Sequence, residues 1–322
     1  MNIVSFDQWL LDTSLNTPVD GLGNRTRYRL LRGIRRLRLL ISDPRVTFSL
    51  RAYNLCLPLS HELPFYRRHF PDYAANLGRV SFYARQKYPD LTMIDVGANI
   101  GDSVAIVRSY GDMPVLCLEG EPRFFRLLKE NTRNLSTVEI EQTFIGAPGD
   151  QIGRIDANAG NAQVLLGQTL NRASICTLSE ALARHPRFAT AKLLKIDAEG
   201  FDCRIIASNA YLLKKTKPIL FFEYYPKCAE LIGQKAFPVF TMLSSLSYSM
   251  ILIYQNLGRY FISLTLDQQD ALQDLHHFIS DLGGYFDIVA FHKEDLEIAI
   301  NIRAAEYANR RLKEESNNGN AR

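Results

Sequence analysis

The spacing of apolar residues changes character along this chain of 322 residues. From residue 91 onward, short apolar runs alternate with stretches of helical period. Residues 91–96 read as a strand, and a Gly-Ala-Asn-Ile-Gly turn then opens a helix reaching Ser109. Residues 115–118, 137–145, 192–196 and 219–222 read as further strands, with helices over 122–134, 178–184 and 203–213. Residues 151–170 read as irregular or hairpin-like. Strands alternating with helices in this way predict a doubly wound parallel sheet. Later, a helix over 237–246 leads into apolar residues 248–254, an Asn256-Leu257-Gly258 turn and residues 260–264, a hairpin signal. A helix over 267–282, a strand over 286–291 and a charged helix over 294–312 complete the pattern.

The first 90 residues carry a different pattern. Leu30, Leu31, Ile34, Leu37, Leu40 and Ile41 form a helical stripe, with arginines on the other faces. Gly33 in its middle costs about 1 kcal/mol relative to alanine. Residues 45–59 are richer in strand formers, including Val46, Thr47, Phe48 and Tyr53. Pro58, Pro64 and Pro71 punctuate the next stretch, and a helix is expected over 73–85. Trp9-Leu10-Leu11 offers an apolar anchor near the start. Residues 314–322, EESNNGNAR, read as a disordered end. The chain thus divides into an extension or cap over 1–90, a main domain over 91–312 and a tail over 313–322.

With 47% hydrophobic and 22% charged residues, the chain is too apolar for a disordered protein and long enough to bury a core. No apolar run approaches the roughly 18 residues of a spanning helix. Asp7 and Asp12 stand where a secretory leader would be basic and apolar, so a cytoplasmic protein is expected. The five cysteines are odd in number and widely spaced, which argues against a disulfide framework or a structural zinc site. The net charge of +4 is local: seven arginines and no acid lie between Gly21 and Ser42, and the remainder carries −3. That distribution does not suggest a nucleic-acid partner. Residues 25–41 offer a peripheral contact with an anionic membrane, or else a helix packed on the body with solvated arginines.

Candidate chemistry clusters at predicted strand ends. Asp95-Val-Gly97-Ala-Asn99-Ile-Gly101 comes after one strand and precedes a helix, where glycines allow a sharp turn and a close ligand. The spacing is not the GxGxxG of a dinucleotide site. Glu119 ends the next strand, placed to accept hydrogen bonds from both hydroxyls of a ribose. Asp197, Glu199 and Glu223 end two later strands, so the same sheet edge gathers acids. Capping of the adjoining helix is the plainer role for each.

Asp95–Gly101, Leu194-Lys-Ile-Asp197-Ala-Glu199-Gly200 and Lys217-Pro218…Glu223, in this order and spacing, resemble the FkbM family of methyltransferases. The resemblance covers roughly 58–295, including Pro58-Leu-Ser-His61-Glu-Leu-Pro64, Phe70-Pro-Asp-Tyr73 and Tyr285-Phe-Asp287-Ile-Val-Ala-Phe-His292. It implies a class I methyltransferase (Rossmann-like) α/β fold: a seven-stranded, mostly parallel sheet with an antiparallel C-terminal hairpin. Residues 1–55 lie outside the resemblance, so the N-terminal α/β extension rests on the residue pattern alone. The resemblance also implies S-adenosyl-L-methionine as cofactor, and O-methylation of a saccharide or glycan intermediate or a small natural product. Carried over, Asp95, Gly97, Asn99 and Gly101 form the cofactor loop and Glu119 holds the ribose. Glu121-Pro122 is an alternative register for that acid. Ser179 departs from the family's common Asp, and no role is assigned there.

Methyl transfer to a hydroxyl needs alignment and a group that takes the proton. His292, His61, Asp197 and Glu223 are the candidate bases. Asp197, Glu199 and Glu223 are hard oxygen donors, but no His neighbours them and no metal site is assigned. Two other classes remain: a nicotinamide-dependent sugar oxidoreductase, against which the missing GxGxxG argues, and a non-catalytic binding protein that keeps the fold.

Overall fold

The computed structural model describes residues 5–150, 152–158, 161–166 and 175–319. Its centre is an eight-stranded sheet. Numbered along the chain, the strands are β1 (Met93–Val96), β2 (Val115–Glu119), β3 (Val138–Gln142), β4 (Leu193–Ile196), β5 (Ile219–Tyr224), β6 (Tyr248–Gln255), β7 (Tyr260–Thr265) and β8 (Phe286–His292). Their spatial order is β3-β2-β1-β4-β5-β8-β6-β7. β1 to β6 run parallel, and β8 lies antiparallel between β5 and β6. The expected C-terminal hairpin is present as β6–β7, but β7 is an eighth, edge strand. The physical difference is visible in burial: β8 is a nearly continuous apolar run covered on both faces, whereas β7 leaves Phe261 and Ile262 exposed.

Alternation along the strands sends side chains to two cores. Ile94, Val96, Leu116, Leu118, Leu194, Ile196, Leu220 and Phe222 face one core, and Met93, Val115, Cys117, Leu193, Ile219 and Phe221 face the other. Asp95 and Lys195 share the second face, and the parallel register sets them side by side.

The helices are α1 (Phe6–Asn16), α2 (Leu22–Ile41), α3 (Leu63–His69), α4 (Ala75–Lys87), α5 (Asp102–Arg108), α6 (Pro122–Thr132), α7 (Leu178–Arg184), α8 (Asp202–Ser208), α9 (Ala210–Thr216), α10 (Pro226–Leu231), α11 (Pro238–Ser245), α12 (Gln269–Leu282) and α13 (Leu296–Gly319). The single helix expected over 203–213 is two, broken where the Asn209 side-chain amide donates to the Ile205 carbonyl at 2.8 Å. The tail expected to be disordered is helical as far as Gly319, continuing the helix begun at Leu296. Elongating a helix that tertiary packing has already nucleated adds a hydrogen bond per residue, which favours such continuation. Between 151 and 170, strands Ile152–Asn158 and Asn161–Leu166 pair antiparallel; residues 151, 159, 160 and 167–174 lie outside the described residues.

In the extension, strands Arg45–Leu50 and Tyr53–Pro58 form a hairpin. Leu10 and Leu11 are buried as an anchor should be, while Trp9 stays exposed. The extension has no core of its own. Leu10, Leu11, Leu31, Leu57, Leu63 and Phe65 pack with Ile100, Ile106, Phe124 and Leu127 of the main domain. The helical stripe of the arginine segment behaves differently: Leu31 is buried, but Leu30, Leu37, Leu40 and Ile41 face solvent. Among the described residues no helix is long and apolar enough to cross a membrane.

Candidate active site

A cavity of about 340 Å³ opens at the carboxyl ends of β1, β2, β4 and β5. Open α/β sheets bind ligands at this edge. The Asp95–Gly101 loop forms one wall and crosses the loop after β4 at close range. Asp197 N–H donates to the Val96 carbonyl, and a Cβ on Gly97 would stand 1.9 Å from the Asp197 carbonyl oxygen. Gly97 has φ +76°, so a side chain there is excluded by both conformation and space. The glycine is thus required first by the crossing of two loops. Gly101 begins α5 in the left-handed region and packs on Leu128 of α6, and it does not line the cavity.

Glu119 ends β2 in the cavity wall. Its two carboxylate oxygens accept from Asn99 N–H at 2.8 Å and Glu121 N–H at 2.7 Å. Burial pushes its pKa up to about 7, against the lowering effect of those two donors. A carboxylate has about four lone-pair sites, so acceptor capacity remains for two hydroxyls. Glu121 faces elsewhere: it caps α6, accepting from Arg123 N–H at 2.6 Å and Phe124 N–H at 2.9 Å, and is absent from the lining. The alternative register is therefore a helix cap.

Lys195 organises the floor. Its Nζ lies 3.0 Å from Asp95 Oδ1 and 3.3 Å from Asp197 Oδ2. Asp95 is wholly buried and holds this lysine, while Lys195 and Asp197 line the cavity. Nearby carboxylates, Asp95 and Asp197 foremost, outweigh the desolvation of Lys195 and hold its pKa well above the ordinary value.

The remaining acids stand beyond Asp197. Glu223 pairs across the β5–β8 register with Asp287. Asp287 accepts from the Asn76 amide at 2.9 Å. Burial, then the charge of Asp197, raises Glu199 to about 7. Burial raises Asp287 to about 7, and Glu223 is raised well above the usual carboxylate range by burial and by four neighbouring acids. The carboxylate of Asp202 accepts from the backbone N–H groups of Ala198, Gly200 and Glu223, and so ties the loop after β4 to the end of β5. Among the described residues no three His, Cys, Asp or Glu side chains are disposed to hold a metal together.

The two candidate histidines part company. His61 lines the cavity, its ring edge-on to Phe124 and its Nδ1 accepting from Leu63 N–H at 3.2 Å. Burial lowers its pKa to about 4, so it is neutral at pH 7 and a weak base. His292 corrects the sequence expectation. It ends β8, which runs against the parallel strands, so it stands at the opposite edge of the sheet. There its ring meets Tyr248 and Nδ1 accepts from Glu294 N–H.

Asp102, Tyr73, Tyr285 and Asp287 line the cavity without having been assigned a role from sequence. Tyr73, Tyr285 and Asp287 lie in motif stretches and Asp102 directly follows one, and the signal that could have singled them out is the register of β8 and the fold of the extension. Two Tyr-x-x-x-Lys pairs of the kind used by sugar oxidoreductases occur, Tyr83/Lys87 and Tyr211/Lys215, and neither lines the cavity.

Six parallel strands with one antiparallel strand inserted between the fifth and sixth define a class I methyltransferase fold, here with an added edge strand. No protein-family model matches the chain, and no curated protein matches it. Among solved structures, an O-methyltransferase from Bacillus cereus in complex with SAH is 12% identical, over 67% of this chain and 80% of that one, at a TM-score of 0.38. The methyltransferase FkbM from Methylobacillus flagellatus KT is 16% identical over 55% of this chain, at a TM-score of 0.37. The match spans 43% of that protein, less than half its length. A precorrin-6y C5,15-methyltransferase from Geobacter metallireducens GS-15 is 12% identical, over 63% and 81% of the two chains, at a TM-score of 0.34. The fold assignment rests on the strand order.

Proposed function

We propose that the protein is an S-adenosyl-L-methionine-dependent O-methyltransferase whose acceptor is a hydroxyl of a saccharide or glycan intermediate, or of a small natural product. The observation that carries this reading is Glu119: a buried strand-end carboxylate, pinned by the Asn99 backbone N–H, with acceptor capacity left at the cavity wall. When bound, S-adenosyl-L-methionine supplies an activated methyl group. Glu119 would hold the ribose hydroxyls, and the Gly97–Asn99 loop would shape the wall beside them.

The chain's own groups then align an acceptor and move one proton. Asp197 is the best placed base. It lines the cavity, is partly exposed there, and is held by an ion pair with Lys195 at 3.3 Å. Its Oδ takes the proton of the acceptor hydroxyl as that oxygen becomes the nucleophile. Burial, and after it the charge of neighbouring acids, keeps Glu223 and Asp287 from ionising readily, and in protonated form they donate hydrogen bonds to acceptor oxygens. His61, neutral and also part of the lining, is a hydrogen-bonding group.

Titration with S-adenosylhomocysteine, with NAD as control, tests the reading. Micromolar affinity for the former alone is expected, weakened at least about tenfold in Glu119→Ala by loss of two charge-assisted bonds. Binding of NAD, or of neither ligand, overturns it. Once an acceptor is found, Asp197→Asn should lower kcat by about 10²-fold or more with unchanged S-adenosylhomocysteine affinity. An unchanged kcat removes Asp197 as base.

A further inference from the structure

Helix α2 has two faces in use. Leu31 and Arg35 are buried against the body, where Arg35 Nε donates to the Leu59 carbonyl at 2.9 Å and Nη1 to Glu62 at 2.9 Å. The guanidinium groups of Arg32 and Arg35 also stack over Phe65, at 4.9 and 4.5 Å from its centroid. These contacts account for the helix's attachment and leave the apolar stripe out of it. Leu22 is 85% exposed, Leu30 63%, Leu37 65%, and Leu40 and Ile41 83% each.

At 100° per residue these five side chains fall within an arc of about 100°. Arg29 and Arg36 border the arc on one side, and Arg27 on the other. All three are exposed, and none has an ion-pair partner among the described residues. No acid lies between Gly21 and Ser42. Helix α1, tied to α2 by Asp7 and Arg38 at 2.8 Å, adds exposed Phe6 and Trp9.

From this we infer that α2 docks the protein on the surface of an anionic lipid bilayer, its leucine arc entering the acyl boundary and Arg27, Arg29 and Arg36 meeting the headgroups. An apolar arc bordered by cations, on a helix too polar to span, is the chemistry of an interfacial helix. Each basic residue near an anionic surface contributes about 1 kcal/mol. Charge selects the occupant. A second copy of the same helix would bring unpaired arginines against arginines, and an RNA or DNA backbone would leave the leucines unburied. The docking face is one helix away from the cavity: Glu62, bonded by Arg35, lines it together with His61, Leu63 and Tyr66.

Flotation of the full chain with vesicles tests this without any methyl transfer, so the outcome is independent of the proposed activity. Vesicles of equal parts phosphatidylglycerol and phosphatidylcholine should carry the protein, and pure phosphatidylcholine should not. Leu30→Glu/Leu37→Glu/Leu40→Glu and, separately, Arg29→Glu/Arg36→Glu should each cut the bound fraction about tenfold or more, with unchanged thermal melting because every altered side chain is exposed. If one variant misfolds, the other decides. No flotation with anionic vesicles, equal flotation with neutral ones, or flotation of both variants at the parent level overturns the inference. So does parent self-association that the leucine variant abolishes, which would make a second copy the occupant.

Discussion

Glu119 shows what burial does to a single carboxyl. Its folded pKa of about 7 stands above its ordinary 4.5, so between those values the folded protein holds a proton that the unfolded chain releases. Stability from this group is therefore fully present below about 4.5 and is lost as pH rises through about 7. Glu199 and Asp287, also raised to about 7, act in the same direction. Each such group is worth on the order of 3–4 kcal/mol at most. The melting temperature should fall from pH 5 to 8, and Glu119→Gln should flatten that slope by one group's share. A slope equal to the parent's would mean that Glu119 is ionised throughout. At this scale the sequence was informative about type and weak on role. An acid at a strand end can face a ligand cavity or cap a helix: of Glu119 and Glu121, two residues apart, Glu121 caps α6 and Glu119 faces the cavity.

The loops after β1 and β4 cross within the radius of a methyl group, and that crossing holds Asn99, Glu119 and Asp197 around one space. Gly97→Ala should cost about 2 kcal/mol or more, from a left-handed conformation plus the Asp197 carbonyl in the way. Gly233→Ala is the control: φ is +72° but nothing lies within 4 Å, so the conformational cost of about 1 kcal/mol should appear alone. Equal losses in denaturant melts would show that the crossing relaxes freely. Elements with a clear period and a punctuating residue were legible in advance, including β1, β2, α6 and the β6–β7 hairpin. The break at Asn209 was not, because a side-chain bond to the backbone interrupts α8 and α9 without disturbing their apolar spacing.

The extension and the main domain share one apolar core, so they should unfold together. Deleting residues 1–59 would uncover Ile100, Ile106, Phe124 and Leu127. The shortened chain should lose its cooperative thermal transition. A cooperative transition with parental S-adenosylhomocysteine affinity would instead make the extension a dispensable cap. What the sequence determined by itself was the alternation of strand and helix, the glycine turn after β1 and the acids at strand ends, because period and punctuation are local properties of the chain. What only the tertiary structure decided was pairing. Insertion of β8 between β5 and β6 brings Asp287 beside Glu223 and carries His292 to the far edge of the sheet. Packing likewise chose which side of α2 is covered, by Arg35 and Leu31 rather than by the longer stripe of leucines. Neither outcome is written in apolar spacing, because an antiparallel insertion and a choice of helix face depend on partners distant in the chain.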